Sequence, residues 1–365
     1  MRVRREILRE SKYHSRTRQD CCHTPWFQGT IRVRYVTNED LMNQSLSPII
    51  IVALFGLGCE RAGVVEKADD ADVIDTGAIE TIVWEDRRHS TSVTFQDAHA
   101  VGSDLIVVTT EGQTWRYAAD AWTNLPLDID EEDLNGIWGE GGTDNLKMVG
   151  VGAAGIIIEW NGSTWEQTQE STALFQAVDG TNANDLIAVG GAGPWRNVSG
   201  TWTGDPELGH DKFADVWYDG TTALAVGDEG KIAWLIDGEW SLDEVPVDVD
   251  LYSVSGVDFN EIWVAGAQGT LLKWNGTTWQ TIELKAAGED RETKANMWAV
   301  WAPAASTESV AFVVGANGEA YKVTGTTAEA LPTGIDNILY SVTGTNETNV
   351  WATGGRGVAL HYTGQ

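Results

Sequence analysis

Residues 151–165 read VGAAGIIIEWNGSTW, and the same pattern returns in altered form several times along the chain. The GAAG segment at 152–155 places two alanines between two glycines, which is a compact connection at which a strand can reverse direction. The apolar run at 156–160 is rich in isoleucine and is typical of a buried strand. The NG pair at 161–162 predicts a type I′ turn before the chain returns in a further strand. The stretch therefore reads as a repeat unit of short antiparallel strands.

The last glycine of a G-x-x-G turn, which in the first unit begins with Thr109, marks seven copies of this unit. They are spaced by about 40 residues, the length of a four-stranded propeller blade. These glycines are Gly112, Gly155, Gly193, Gly230, Gly269, Gly318 and Gly357. A tryptophan closes most units at the same position, and we expect it to pack between neighbouring blades, where a large aromatic side chain buries much area. The closing tryptophans are Trp122, Trp165, Trp202, Trp240 and Trp279.

Each unit opens with a similar apolar segment, such as LYSVSGV at 251, MWAVWA at 297 and LYSVTGT at 339. We expect these segments to be the innermost strands around a central channel. The seventh unit ends in HYTGQ, before the position of an outer strand, and residues 79–85, IETIVWE, are expected to supply that strand. An unpaired strand edge would otherwise invite aggregation. The sequence thus predicts an all-β fold, a seven-bladed β-propeller of four-stranded antiparallel blades over residues 79–365, closed by an N-terminal strand.

The recurring V-G-x-x-G-x-I-x-x-W-N-G-x-x-W pattern resembles the short-repeat propellers of bacterial surface lipoproteins. More distantly, it is similar to the BNR-like propellers shared by sialidases and photosystem assembly factors. The resemblance covers roughly residues 79–365 and implies the propeller fold. Propellers host hydrolases, lectins and scaffolds alike, so the resemblance does not single out one function.

The residues before the repeats have a different composition. Residues 1–41 are rich in arginine and lack the repeat, and they are followed by an apolar run at 46–58. This run is too short to span a bilayer, but it fits the hydrophobic region of a secretory signal. Leu-Gly-Cys at 57–59 resembles a bacterial lipobox, which implies lipidation of Cys59. The alternative is that the apolar run is a buried strand or a short anchor and that the cysteine is incidental.

The upstream boundaries follow from this interpretation. A signal that begins at the first residue would be abnormally long, and a start at Met42 restores an ordinary length. Residues 1–41 are then a misannotated upstream extension, 42–58 are the signal peptide, and 59–78 are an acidic, flexible tether. By resemblance, the glutamate that follows Cys59 favours the outer membrane, on the periplasmic or surface side of a Gram-negative-type envelope.

The chain is acidic, with a formal net charge of −30 from 54 Asp and Glu against 24 Lys and Arg. The part before Cys59 is net basic, so the part after it is more acidic than the whole chain. Such a body repels nucleic acid and anionic lipid surfaces, which excludes nucleic acid as a partner and leaves the lipid anchor as the membrane contact. No cysteine follows Cys59, so no disulfide is expected within the mature chain.

No residue pattern in the sequence predicts a catalytic or metal centre. The six histidines show no metal-ligand spacing, and His361 takes a repeat position that Glu159 and Lys273 hold elsewhere, as expected of a strand residue. The arginines of the repeats fall at different phases, so they predict no cluster for a carboxylate substrate of the sialidase kind. So acidic a sequence leaves room for paired carboxylates that hydrolyse a glycosidic bond. We therefore assign no catalytic residue, metal or cofactor from the sequence.

Propellers commonly bind at the channel mouth, through the turns between second and third strands and the loops that lead into the next blade. Here those turns carry Asp228 and Glu229, with Arg356 as the lone basic tip. Trp195 replaces a β-branched strand residue directly after a Gly-Pro pair. We expect these four residues to mark a binding face. Its negative charge suits a basic partner or Ca²⁺, although a solvated acidic surface also simply keeps a protein soluble.

These observations predict a lipid-anchored, monomeric envelope protein that binds or scaffolds a protein or glycan partner. The alternatives are a propeller glycosidase or lyase, and an outer-membrane assembly factor. A hydrolase would bring carboxylates together with arginine or tyrosine in a concave mouth, whereas a scaffold would present a broad face built from loops.

Overall fold

A computed structural model describes residues 83–364, apart from 128–131, 170–172, 206, 210, 305 and 307, together with four short strands upstream. The chain divides into two compact units, 1–81 and 82–365. The upstream strands form one antiparallel sheet in the first unit: β1 (Glu6–Leu8), β2 (Arg32–Arg34), β3 (Ile51–Val52) and β4 (Gly63–Val64). The rest of the predicted extension, signal peptide and tether, including Cys59, lies outside the described residues.

The second unit is a seven-bladed β-propeller in which each blade is a four-stranded antiparallel sheet. Its first strand in the chain is β5 (Trp84–Asp86), which belongs to the last blade. Blade 1 contains β6 (Phe95–Val101), β7 (Asp104–Thr109), β8 (Thr114–Ala118) and β9 (Ala121–Asn124). Blade 2 contains β10 (Leu134–Glu140), β11 (Lys147–Gly152), β12 (Ile157–Trp160) and β13 (Trp165–Gln169). Blade 3 contains β14 (Phe175–Asn182), β15 (Asp185–Gly190), β16 (Trp195–Val198) and β17 (Thr201–Gly204).

The remaining blades continue in the same order from the innermost to the outermost strand. Blade 4 contains β18 (Asp215–Tyr218), β19 (Ala223–Val226), β20 (Ile232–Ile236) and β21 (Glu239–Asp243). Blade 5 contains β22 (Leu251–Asp258), β23 (Glu261–Gly266), β24 (Leu271–Trp274) and β25 (Trp279–Thr281). Blade 6 contains β26 (Met297–Trp301), β27 (Val310–Gly315), β28 (Ala320–Thr324) and β29 (Thr327–Ala330). Blade 7 contains β30 (Leu339–Asn346), β31 (Asn349–Gly354), β32 (Val358–Tyr362) and, as its outer strand, β5.

The outer strand of blade 7 comes from the start of the propeller. β5 pairs antiparallel with β32, so that Trp84 lies opposite Tyr362. The N–H groups of Arg87 and His89 then donate to carbonyl oxygens of β32 and of the turn before it, each at 2.8 Å. The sequence placed this strand at 79–85; β5 ends one residue later, and 79–82 lie outside the described residues. The innermost strands contact one another in order around the ring, and β30 contacts β6.

The G-x-x-G segments hold each blade to its neighbour. In blades 2, 4, 5, 6 and 7 they form short 3-10 turns whose middle residue has a φ of 51° to 60°. In blade 7, a Cβ at Gly354 would overlap the carbonyl oxygen of Ile338, which precedes the inner strand of that blade. Gly357 has a φ of +67°, and a Cβ there would press on the carbonyl oxygen of His89. The turn is therefore fixed against its own inner strand and against the segment that leads into blade 1.

The hairpin between β12 and β13 differs from the predicted type I′ turn. Trp160 pairs with Trp165, so the loop spans the four residues 161–164, and of the predicted pair only Gly162 has a positive φ, at 104°. Asn161 instead accepts hydrogen bonds at Oδ1 from the backbone N–H groups two and three residues later, each at 3.0 Å. An asparagine that bonds the backbone in this way forms an Asx turn. The predicted turn type was therefore wrong, because this side chain stabilises a longer loop.

The described residues bury a hydrophobic cluster at each of the seven junctions between blades. The closing tryptophans contribute to these clusters, as predicted, and each packs against the blade before its own. Trp165 of blade 2 donates its Nε1–H to Oγ1 of Thr114 in blade 1, at 2.9 Å. Trp122 of blade 1 donates to the carbonyl oxygen of Arg87, just beyond β5, at 2.8 Å. Aromatic packing and one directed hydrogen bond thus join these neighbours.

Truncation of Trp84 tests the closure of the ring. Trp84→Ala is expected to lower the free energy of unfolding by about 3–5 kcal/mol, because the side chain is 5% exposed and packs against Tyr362. The matched control is Trp279→Ala, which truncates a partly exposed outer-strand tryptophan of blade 5 and is expected to cost less. Urea unfolding of both full-length variants, followed by circular dichroism, measures the difference. Equal losses would contradict a special contribution of β5.

Candidate functional site

The second residue of most inner strands, at the channel mouth, has no partner in the regular strand pairing. In six of the seven blades the strand register shifts between the first and third residues of the inner strand, which marks a β-bulge. A bulge leaves one residue unpaired and re-aims its side chain. The bulged residues are Gln96, Asn135, Gln176, Tyr252, Trp298 and Tyr340. They lie at the face that carries the G-x-x-G turns and the loops into the next blade, which we call the turn face.

Three consecutive blades place aromatic rings at this position. Tyr252 of blade 5 stacks on Trp298 of blade 6, with 4.3 Å between ring centroids and 21° between ring planes. Trp298 in turn contacts Tyr340 of blade 7, at 5.8 Å between centroids. All three side chains are partly exposed. We call these three residues the aromatic shelf. Sequence reasoning missed it, although its signal is the second letter of the opening segments LYSVSGV, MWAVWA and LYSVTGT.

The predicted residues Asp228 and Glu229 lie next to one end of the aromatic shelf. They occupy the turn after β19, and both are exposed. The N–H of Glu229 donates to Oδ1 of Asp250, the residue directly before the inner strand of blade 5, at 3.0 Å. Burial raises the pKa of Tyr252, and the charges of Asp250 and Asp228 raise it further. The turn that carries both predicted acidic residues therefore contacts the inner strand of blade 5, and Asp228 lies close enough to Tyr252 to act on its pKa.

Arg356 lies on the same face at the other end of the shelf. It is the exposed middle residue of the turn in blade 7, with a φ of 60°, and this turn contacts the inner strand of blade 1. Within the described part of the chain, Arg356 forms no ion pair. The order of blades places Tyr252, Trp298 and Tyr340 between the Asp228 turn and the Arg356 turn. The predicted acidic residues, Asp228 and Glu229, and the predicted basic residue, Arg356, thus lie on one face, but they form no ion pair with each other.

Trp195 lies away from these residues, in the third strand of blade 3. Its ring meets Phe175 edge-on at 5.6 Å between centroids, and it packs with the cluster at the junction of blades 2 and 3. Its cross-strand partner is Gly204, where an added Cβ would press on the indole ring. The glycine accounts for the large residue at this strand position, because it leaves the space that the indole fills.

Three aspartates that sequence reasoning did not single out connect the inner strands. Each accepts, at Oδ2, a hydrogen bond of 2.7–2.9 Å from a backbone N–H in the inner strand of the next blade; they are Asp97, Asp179 and Asp215. Burial raises the pKa of Asp97 to about 6, and that of Asp179 and Asp215 to about 7, while the backbone hydrogen bonds oppose the shift. The negative charge of Asp97 in blade 1 also raises the pKa of Asp215 in blade 4.

His361 is a strand residue, as its repeat position indicated. It belongs to β32, stacks on Trp351 at 4.0 Å between centroids, and places Nε2 2.7 Å from Oδ1 of Asn349. Burial lowers its pKa. Among the described residues, no group of three or more His, Cys, Asp or Glu side chains is arranged to hold a metal ion. Within the same residues, no helix has the length and apolar character of a membrane span.

No protein-family model matches the chain, and no curated protein sequence matches it. Solved structures do share its fold. A structure of YCF48 bound to D1 peptide is 15% identical, with a TM-score of 0.64 over 79% of this chain and 97% of that chain. YCF48 from Cyanidioschyzon merolae is 12% identical, with a TM-score of 0.61 over 77% of this chain and 98% of that chain.

A third similar structure is the WD40 β-propeller domain of Doa1, at 9% identity and a TM-score of 0.60 over 78% of this chain and 98% of that chain. At these identities the likeness establishes the propeller fold alone. The distant resemblance to photosystem assembly factors therefore holds at the level of fold, and the resemblance to bacterial lipoproteins stays a prediction.

The raised pKa of Asp179 makes a prediction about stability and pH. A carboxyl whose pKa is about 7 in the folded state, above its unfolded value of 3.8, keeps its proton up to a higher pH in the folded state. The free energy of unfolding should therefore fall as pH rises between about 4 and 7. Asp179→Asn removes this titration, so its stability relative to the unsubstituted chain should rise by on the order of 2 kcal/mol between pH 5 and pH 8.

Urea unfolding at a series of pH values measures this change. Asp336→Asn removes the same charge from an exposed loop and serves as the control. A difference between Asp179→Asn and the unsubstituted chain that does not vary with pH would contradict the burial effect.

Proposed function

We propose that this chain is a binding module that recruits a partner through its turn face and catalyses no reaction. The observation that carries the proposal is the aromatic shelf, three partly exposed rings in contact at the channel mouth. Aromatic side chains offer large contact areas at a low cost in conformational entropy, which is why they are enriched in recognition surfaces. The inner strands hold these rings in place before a partner arrives, which lowers the ordering cost of binding.

The placement of the inner-strand aspartates supports binding over hydrolysis. A propeller glycosidase or lyase needs a carboxyl that exchanges a proton with its substrate, and Asp97, Asp179 and Asp215 have raised pKa values of that kind. Asp97 and Asp215, however, accept backbone N–H groups at both carboxyl oxygens. These groups stabilise the contact between inner strands, and we therefore assign them a structural role.

The partner that we propose is a protein segment. YCF48, which shares the fold, is described with a bound D1 peptide, and the Doa1 structure is a WD40 domain. For this chain we propose only the same kind of ligand, a peptide. An outer-membrane assembly factor would use the same face to hold a client protein, so that alternative differs in the identity of the partner and not in the site.

We further propose that Cys59 is lipidated and anchors the propeller in the cell envelope, in the outer membrane. The support is the lipobox-like Leu-Gly-Cys at 57–59 after the apolar run at 46–58. The acidic segment 60–78 then links the lipid to the propeller. The negative charge of the propeller repels an anionic membrane surface, so the lipid would be the membrane contact.

Intact mass spectrometry tests the anchor. Protein purified from the membranes of its own host after metabolic fatty-acid labelling is expected to begin at acylated Cys59. Cys59→Ser is expected to remove the label, because the thiol is the acylated group. An unmodified chain that retains Met1 would contradict both the anchor and the envelope location.

Site-specific photo-crosslinking tests the binding face. A photoreactive residue at Gln268, exposed on the turn of blade 5, is expected to yield an adduct with the partner in living cells. The control position is Thr277, exposed in the hairpin at the opposite end of the same blade. The proposal fails when Thr277 yields the adduct, or when neither position does.

A further inference from the structure

We propose that the turn face takes a basic peptide segment, with a Lys or Arg side chain lying on the aromatic shelf at its Tyr252 end. This inference rests on the proposed binding function and names the chemistry of the partner. Three features of the described residues carry it: the shelf itself, a group of unpaired carboxylates at one end, and a single cation at the other.

The carboxylates belong to two segments that the backbone holds together. The N–H of Gly230, which ends the turn in blade 4, donates to the carbonyl oxygen of Val249 at 2.8 Å. This bond joins the turn to the loop that enters blade 5. We call the acidic residues of this turn and loop the acidic corner: Asp228, Glu229, Asp248 and Asp250. Among the described residues, none of the four forms an ion pair.

Like charges held this close repel one another, and the protein as a whole adds to that repulsion through its net charge of −30. A ligand cation relieves the repulsion without any rearrangement of the backbone. The turn that holds Asp228 contacts the inner strand of blade 5, and Tyr252 of that strand stacks on Trp298. A Lys or Arg side chain can therefore place its apolar stem on the rings and its charge against the rings and the carboxylates at once.

Arg356 gives the site a direction. It is exposed beyond the Tyr340 end of the shelf and has no ion-pair partner in the described part of the chain. A cationic side chain is repelled at that end and attracted at the Tyr252 end. The cation of the ligand consequently lies next to the acidic corner, and a run of basic residues that covers the whole shelf is disfavoured.

A neutral glycan is the competing ligand, because sugar rings also stack on aromatic side chains. It would use the shelf but gain little from the acidic corner, and its affinity would depend little on ionic strength. A basic peptide contacts both the aromatic shelf and the acidic corner. Salt weakens its binding by screening the exposed charges. Among the described residues the four carboxylates of the acidic corner form no ion pair, and this uncompensated charge favours the peptide.

Fluorescence anisotropy with the full-length chain tests the inference. The probe is a fluorescein-labelled peptide of glycines around a single arginine, and the matched probe replaces that arginine with glutamate. A fluorescent chito-oligosaccharide represents the neutral glycan. We expect the arginine peptide to bind tightest and to weaken as salt is raised, and we expect the glutamate peptide to bind weakest.

Variants locate the site. Trp298→Ala is expected to weaken the arginine peptide by roughly two- to thirtyfold, the span of a cation–π contact, whereas Trp298→Phe keeps a ring and most of the affinity. The double substitution of Asp228→Asn with Glu229→Gln is expected to weaken binding. Its control, Asp237→Asn with Glu239→Gln, removes the same charge from an exposed hairpin on the opposite face of the same blade. Arg356→Gln is expected to strengthen binding.

The outcomes separate this inference from the proposed function. Tight binding of the chito-oligosaccharide with loss in Trp298→Ala, and no preference for the arginine peptide, would overturn the basic partner and leave the turn face as the binding surface. Equal effects of the two charge-removing double variants would also overturn it, since binding would then follow net charge and not this site. Loss of the crosslink at Gln268 would instead remove the proposed function itself.

Discussion

The backbone pairing of β5 with β32 closes the ring, and the geometry of the turn face depends on it. An open seventh blade would leave a row of unpaired N–H and C=O groups on β32, which is the kind of edge that recruits another chain. Trp84 fills the junction between blades 6 and 7 from the same strand, so one segment supplies both the hydrogen bonds and the apolar contact. Because the inner strands contact one another in a closed circle, a gap at this junction would loosen the whole mouth.

A closed ring gives the residues at the mouth fixed positions. The G-x-x-G turns are held against their own inner strand and against the loop that enters the next blade, and the aspartates of the inner strands accept backbone N–H groups across the junctions. In six of the seven blades, the bulged second residue of the inner strand lies outside this pairing. The fold is therefore rigid where it is repeated and variable at the positions that face a partner, which is how propellers acquire different ligands.

The repeats in the sequence were sufficient to predict the fold. A period of about 40 residues, a returning tryptophan and paired glycines each have one physical explanation in a blade, and they agree with one another. The turn at 161–162 was predicted wrongly, because the Asn161 side chain bonds the backbone and a dipeptide preference does not include that bond. The unusual tryptophan at position 195 is explained by its cross-strand partner Gly204, which leaves the space that the indole ring fills.

The candidate site was harder to predict for a different reason. Asp228, Glu229 and Arg356 stand out in the sequence as charged residues of the G-x-x-G turns, and the structure places all three on the turn face. The aromatic shelf obeys the repeat, and its rings are far apart in the chain. The bulges and the packing of neighbouring inner strands bring Trp298 into contact with Tyr252 on one side and Tyr340 on the other, and neither feature can be read from one unit alone.

The most direct test of the mouth as a docking surface is the indole N–H resonance of Trp298 in a ¹H–¹⁵N spectrum of the labelled chain, assigned through Trp298→Phe. Addition of the arginine peptide should shift this resonance progressively until it saturates, while the indole resonance of Trp195, partly buried at the junction of blades 2 and 3, stays in place. A peptide that binds while the Trp298 resonance does not move would show that the ligand docks elsewhere, and the account of the turn face would be wrong.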